Sequence, residues 1–333
     1  MNVTVFRKEN CPECDQVLVD LAELQSEFPH RLVVIEIEKT PGIRDAFESR
    51  VPVVEAGPYR LSAPISKQSL SVTLGAARDR KQQYEQAGDQ RYLERVQRGQ
   101  TISRSDRFSY WLSNHYMLLI NLVLFLYVGL PFLAPVLMKI DAVTPARVIY
   151  TIYSPLCHQF AFRSFFLFGE QAAYPRAAAN VPGITYEQVT GYNALDVLKA
   201  RNFIGNEQLG YKIAICERDI AIYLSILLFG IIFSLSKNRW KSLPWYIWIL
   251  FGILPIAVDG FSQLPSLMTL PVSLNWLPMR ESTPLLRVLT GSLFGLTTAW
   301  FGLPYIEESM IETRELITKK IAVVSSRHAY DRG

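Results

Sequence analysis

Along the first quarter of the chain the period of the apolar positions changes in a regular order. Val3-Thr-Val-Phe6 is a short run of β-formers and predicts a strand. Residues 15–24 then place Val17, Leu18, Leu21 and Leu24 at helical spacing, which predicts an amphipathic helix. Leu32 to Ile37 predicts a second strand, Pro41 to Ser49 a short helix, and Val51 to Val54 the start of a further strand. From Ala76 to Arg107 the sequence is polar, with arginines interleaved among acids, as in a solvated helix or a charged connector.

Beyond Trp111 the pattern becomes one of long apolar runs. Tyr116 to Met138 carries no charged side chain and is long enough to cross about 30 Å of hydrocarbon, with Pro131 and Pro135 predicting a kink toward its end. Ile220 to Leu235, Trp245 to Val258 (a short one) and Leu285 to Ile306 predict three more spans. Val148 to Phe168 is also apolar and long enough, but it contains His158 and Arg163, which are costly at mid-bilayer. A fifth crossing would also put the basic cluster Lys237, Arg239 and Lys241 outside. The segment is therefore read as a re-entrant or interfacial helix on the external side, followed by a polar external insertion, 169–212. Tyr305 to Val324 again has apolar residues at helical spacing (Ile306, Met310, Ile317, Ile321), which predicts a cytoplasmic helix packed against the soluble domain or a partner.

The expected organisation is thus an α/β domain over 1–77, a charged cytoplasmic linker over 78–110, an all-α polytopic membrane domain of about four transmembrane helices over 111–306, and a cytoplasmic helix and tail over 307–333. A net charge of +4 on 333 residues is too small to suggest a nucleic-acid partner. With four spans and the N-terminus inside, the 237–241 cluster and the tail bearing Arg314, Lys319, Lys320, Arg327 and Arg332 fall on one side of the bilayer. The expectation is a multi-pass protein of the cell (inner) membrane with both termini cytoplasmic. No basic segment followed by a short apolar stretch opens the chain, so no cleavable signal peptide is expected.

The cysteines number four, too few for a disulfide scaffold, so each calls for its own explanation. Cys11-Pro-Glu-Cys14 sits where the first predicted strand hands over to the first helix, and there free amides and the helix dipole favour a thiolate. The alternative is half of a zinc site, but no second Cys or His pair with ligand spacing occurs nearby. His30 stands alone and is read as a surface residue at a helix end. Residues 1–77 resemble glutaredoxin-like proteins in strand order, in the Cys-Pro-x-Cys turn and in the Val-Pro strand. The resemblance implies a thioredoxin-like fold, with Cys11 as nucleophile, Cys14 as resolving thiol and Pro52 as the cis-proline facing the dithiol. It implies no particular substrate.

In the apolar half, the unusual polar residues gather near the external ends of the predicted spans. They are Cys157-His158-Gln159, Arg163, Cys216-Glu-Arg-Asp219, Asp259 with Gln263, and Arg287 with Thr290. An Asp259–Arg287 pair is expected, since consecutive spans are antiparallel neighbours. From Tyr153 to Tyr305 the chain resembles an uncharacterised family of prokaryotic membrane proteins, catalogued only as a domain of unknown function. The resemblance rests on Cys157-His158-Gln159 with Arg163-Ser164-Phe165, Cys216-x-x-Asp219, Asp259-Gly260-x-x-Gln263 and Arg287-x-x-Thr290-Gly291. Many members carry a second cysteine where this chain has Asp219, and they lack so long an insertion before Cys216. Three readings stay open for Cys157, His158, Cys216 and Asp219: a zinc or iron site, a Cys157–Cys216 disulfide, or packing of the helices.

The leading expectation is a membrane-anchored thiol–disulfide redox protein, with glutathione, a thioredoxin-like reductant or a membrane complex as its partner. The rivals are a non-catalytic subunit of a membrane complex and a metal-dependent membrane enzyme. A direct thiol relay between the two cysteine pairs is not expected. Exchange requires a thiolate to touch the disulfide sulfur, and the topology puts the pairs on opposite faces.

Overall fold

The structure, a computed structural model, describes residues 1–39, 47, 50–99, 101–192, 196–238, 240–263 and 280–330. The predicted helix over 41–49 falls outside the described residues apart from Phe47, as do Arg239 and Arg332. Two compact units emerge, residues 1–115 with 308–333 and residues 116–307.

In the first unit β1 (Asn2–Arg7) alternates its side chains, Val3 and Val5 to one face and Phe6 to the other. Helix α1 (Pro12–Glu23) crosses over to β2 (Arg31–Glu36), which pairs parallel to β1 with Asn2 opposite Arg31. β3 (Val53–Ala56) lies antiparallel on the other side of β1, and β4 (Tyr59–Ser62) returns along it. The turn between them has only two residues, and Gly57 supplies the positive φ (+59°) it requires. The strand order β2-β1-β3-β4, with one parallel and two antiparallel neighbours, is that of a thioredoxin-like sheet. Helix α2 (Lys67–Gln86) starts at a reciprocal Ser66/Ser69 cap. Val17 and Leu21 of α1 and Leu70, Leu74 and Ala77 of α2 bury one face of the sheet. A fully buried leucine such as Leu21 or Leu70 contributes roughly 1.5–3 kcal/mol. His30, expected at the surface, is buried; its Nδ1 lies 2.6 Å from the Phe28 carbonyl oxygen, because it immediately precedes the first residue of β2. The polar stretch that follows α2 is helical in part, as α3 (Gln90–Gly99).

Among the described residues two helices are long and apolar enough to cross a membrane: α4 (Arg104–Lys139) and, after α5 (Val143–Tyr153), the helix Glu217–Leu235. Four were expected. The segment starting at Trp245 forms an apolar helix only as far as Phe261, short for a crossing, and it takes a π-helical turn over Trp248–Ile253. Pro255, just beyond that turn, has no N–H to give to the regular ladder. Leu285 to Ile306 belongs to one continuous helix, Pro284–Tyr330. The expected helix over 148–168 ends at Tyr153: Pro155 follows, Gln159 takes φ +53°, and residues 161–163 form a 3-10 turn.

Nor is the second unit wholly helical. Its insertion folds around β5 (Phe166–Leu167), α6 (Tyr186–Thr190), α7 (Val197–Asn202), β6 (Gly205–Asn206) and β7 (Gly210–Lys212), sheet order β5-β7-β6. Phe162, Phe166, Tyr174 and Tyr186 form a core there. Gly210, at φ +75°, permits this packing, since a Cβ would sit 2.2 Å from the Leu167 carbonyl oxygen. We label the remaining helices α8 (Glu217–Leu235), α9 (Trp245–Phe261) and α10 (Pro284–Tyr330). Gly291 and Gly295, one turn apart on α10, face the α8 backbone; a Cβ on Gly295 would lie 2.2 Å from the Ile222 carbonyl oxygen.

The prolines inside the long helices each remove an N–H and orphan the carbonyl four residues earlier. Loop and side-chain groups of the second unit take those carbonyls. The Tyr153 hydroxyl donates to Tyr127 O (3.0 Å), orphaned by Pro131. Ala214 N–H donates to Pro131 O (3.3 Å), orphaned by Pro135, and Leu243 N–H to Trp300 O (3.3 Å), orphaned by Pro304.

In the first unit the end of α10 packs on the second face of the sheet. Ala322 meets the cluster of Phe6, Val33, Ile35 and Val53, while Lys319 pairs with Glu55 at 3.0 Å and Glu315 with Arg60 at 3.2 Å.

Candidate functional site

Cys11 is the N-cap of α1, Pro12 opens the helix with its preset φ, and Glu13 and Asp15 occupy the first turn. Cys11 and Cys14 are joined in a disulfide with Cα atoms 5.2 Å apart. Cys14 N–H donates to Cys11 Sγ at 3.2 Å. Cys14 is buried, whereas Cys11 is partly exposed, so the first sulfur is the accessible one. The Val51–Pro52 peptide is cis. Because Phe6 stands opposite Val53, Pro52 lies at the end of the sheet where β1 runs out toward the Cys11 turn.

The second unit brings together residues distant in sequence. Cys157 comes from the irregular chain after α5, Cys216 is the N-cap of α8 and Asp219 lies in its first turn. The two Sγ atoms and a carboxylate oxygen of Asp219 all lie within 4.8 Å of one another. Both thiols are free, and Cys216 N–H donates to Cys157 Sγ at 3.3 Å. The hydrogen bond to the Cys157 sulfur, with burial, raises the Cys216 thiol well above its ordinary range. His158 is not in this group; its ring stacks at a tilt on Phe160, 5.4 Å between centroids. It does line the same cavity of about 390 Å³, with Cys157, Cys216, Asp219, Arg163 and Arg287.

Around the cavity runs an ionic network. Buried Glu281 accepts from Arg163 (2.8 Å), Arg176 (3.1 Å) and Arg287; Glu217 accepts from Arg287 at 3.2 Å. Asp259 accepts from Arg218, from Arg280 (3.3 Å) and from Ser282 (2.9 Å). The expected Asp259–Arg287 pair is therefore not made: Glu217 and Glu281 hold Arg287, and Arg218 and Arg280 hold Asp259. Gln159 donates to Tyr150 O and Ala214 O (2.9 and 2.8 Å), and Thr290 donates to Leu286 O within its own helix (2.8 Å). Gln263 donates to Asp259 O at 2.6 Å. Gln159 and Thr290 thus bind backbone, whereas Gln263 also donates to an Asp259 carboxylate oxygen at 3.3 Å.

Residues 2–75 match the model of the glutaredoxin-like domain (DUF836), and residues 199–301 match that of a predicted membrane protein family (DUF2085). The chain joins a glutaredoxin-like domain to a predicted membrane-protein domain. An uncharacterized protein of Methanocaldococcus jannaschii is 27% identical over 163 residues, 48% of this chain and 69% of the relative. No solved structure matches.

Cys11, Cys14 and Pro52 lie in the glutaredoxin-like match, and Cys216, Asp219, Asp259, Gln263, Arg287 and Thr290 in the membrane-domain match. Cys157, His158, Gln159 and Arg163 precede the latter. Sequence reasoning missed Arg176, Arg280 and Glu281 as network members, and it named Glu217 and Arg218 only as part of the polar Cys216–Asp219 run. Glu217 and Arg218 were legible inside the Cys-x-x-Asp run, since charges at the start of an apolar helix call for partners. Glu281 carried no such signal, because two of its three arginines, Arg163 and Arg176, lie 118 and 105 residues away in sequence. Lys212 was missed as well: it is buried, its Nζ donates to Gln159 O (2.7 Å) and Arg201 O (2.6 Å), and burial lowers it to about 7.

Proposed function

We propose that the protein is a membrane-anchored thiol–disulfide redox protein acting through Cys11 and Cys14. The observation that supports this most is the closure of these two cysteines into a disulfide at the N-terminus of α1, within a glutaredoxin-like domain. In the reduced state the Cys11 thiolate attacks a substrate disulfide and expels one substrate thiolate, forming a mixed disulfide. Cys14, deprotonated, then attacks the Cys11 sulfur and releases the second substrate thiolate. The substrate gains two electrons and the Cys11–Cys14 disulfide holds the oxidation. Glutathione or a thioredoxin-like reductant restores the dithiol. Pro52 bounds the site beside the dithiol. In the Cys14→Ser variant the mixed disulfide has no resolving thiol and accumulates, so non-reducing gels of membranes should show trapped adducts that Cys11→Ser abolishes. Equal trapping by both variants, or by neither, would contradict the assignment.

We also infer a multi-pass arrangement in the cell membrane, with α9 and the first part of α10 completing four crossings and both termini in the cytoplasm. It is supported by the apolar helices α4 and α8, by the membrane-family match and by the basic residues that border the apolar segments. Reporter fusions at the C-terminus that are active only outside the cytoplasm would overturn it.

A further inference from the structure

We infer that Cys157, Cys216 and Asp219 form a binding site for one zinc-class divalent cation, separate from the Cys11–Cys14 dithiol. The three donor atoms, two soft sulfurs and one carboxylate oxygen, lie within 4.8 Å of one another. Donors bound tetrahedrally at about 2.3 Å stand about 3.8 Å apart, so the group closes on an ion with shifts of about 1 Å or less. Two of the donors are fixed by one helix start, Cys216 as N-cap and Asp219 one turn in, and the third arrives on the chain that leaves α5. A chelate assembled from two segments in this way is already organised before metal arrives.

The ionic network supplies an independent observation. Glu217, Glu281 and Asp259 each hold at least one arginine. Among the described residues Asp219 makes no ion pair, although Arg163, Arg218 and Arg287 line the same cavity. Among the described residues the carboxylate that lines this cavity without a cation is the one beside two thiols. As thiolates the two sulfurs would repel each other and the carboxylate, and a divalent ion both neutralises and orders them. The resulting centre carries one net negative charge, which suits an arginine-lined wall. Binding displaces both thiol protons to solvent.

The three donors line a cavity of about 390 Å³, which leaves room for a fourth ligand; His158 also lines it, with its ring tilted against Phe160. An open position is what distinguishes sites that bind a water or a substrate from closed structural sites. Soft sulfur donors with one oxygen favour zinc over magnesium or calcium.

The test uses the full-length protein in detergent, incubated with zinc chloride, desalted and assayed for metal. The wild type should keep about one zinc per chain. Cys157→Ala/Cys216→Ala should lose it, Cys11→Ser/Cys14→Ser should retain it, and His158→Ala should retain it. Cobalt(II) in the wild type should give sulfur-to-cobalt charge transfer and tetrahedral d–d bands, both weakened in Asp219→Asn. If the double alanine variant does not fold, the wild type decides: zinc should slow maleimide labelling of Cys157 and Cys216, and a chelator should restore it. Absence of stoichiometric zinc with unprotected thiols, or recovery of a Cys157–Cys216 disulfide peptide, would overturn the site. Metal lost only in Cys11→Ser/Cys14→Ser would overturn it too and would place metal chemistry at the other pair.

Discussion

At the residue scale, Lys212 shows how the fold sets chemistry that composition does not reveal. Burial lowers its amine to about 7, far below the ordinary value near 10.5, so over the intervening pH range the unfolded chain holds a proton that the folded chain does not. Stability therefore rises with pH through this group, from pH 7 upward, with a slope of at most about 1.4 kcal/mol per pH unit. Below pH 7 both states are protonated and the contribution is flat. Thermal unfolding in detergent between pH 7 and 9 should show this rise in the wild type and lose it in Lys212→Met. An equal pH dependence in both would contradict the assignment. The lysine lies in a polar insertion where a solvated charge is the ordinary expectation, and only its distant partners, Gln159 O and Arg201 O, identify it as buried. The same holds for Arg287: the antiparallel order of consecutive spans suggested Asp259, while the fold brings Glu217 and Glu281 to it.

At the element scale, α4 continues through two prolines because other segments accept the cost. Removing the Tyr153 hydroxyl leaves Tyr127 O, orphaned by Pro131, with one donor fewer. Tyr153→Phe should then lower stability by about 1 kcal/mol, within the 0.5–1.5 range of a single net hydrogen bond. Denaturation in detergent measures it, and an unchanged midpoint would show that the carbonyl is satisfied otherwise. Elements with a strong local period were legible in the sequence: β1, α1, β2 and β3 with the Cys11 turn between the first two, and the apolar stretches of α4 and α8. The segment over 148–168 was misread as a helix, since apolarity alone does not distinguish a helix from irregular chain packed in a core. Pro155 and the left-handed Gln159 decide it. The small sheet of the insertion escaped for a related reason. Its strands have only two or three residues and owe their pairing to Gly205 and Gly210, whose close approach to neighbouring backbone is a tertiary fact.

At the scale of the whole molecule, the chain carries two chemically distinct cysteine pairs in two compact units. The Cys11–Cys14 pair was legible because its spacing and its place at a helix start are local features. The Cys157–Cys216–Asp219 cluster was legible only as a set of candidates, because which of them share a centre depends on how α5 and α8 meet. The proposed function requires the first pair to be a reversible dithiol. It is tested most directly by equilibrating the full-length protein in glutathione redox buffers and counting thiols by mass after alkylation. The expected result is a single two-electron transition confined to Cys11 and Cys14, absent in Cys11→Ser. A protein whose Cys11 and Cys14 stay in one state across the whole range of buffers would contradict it.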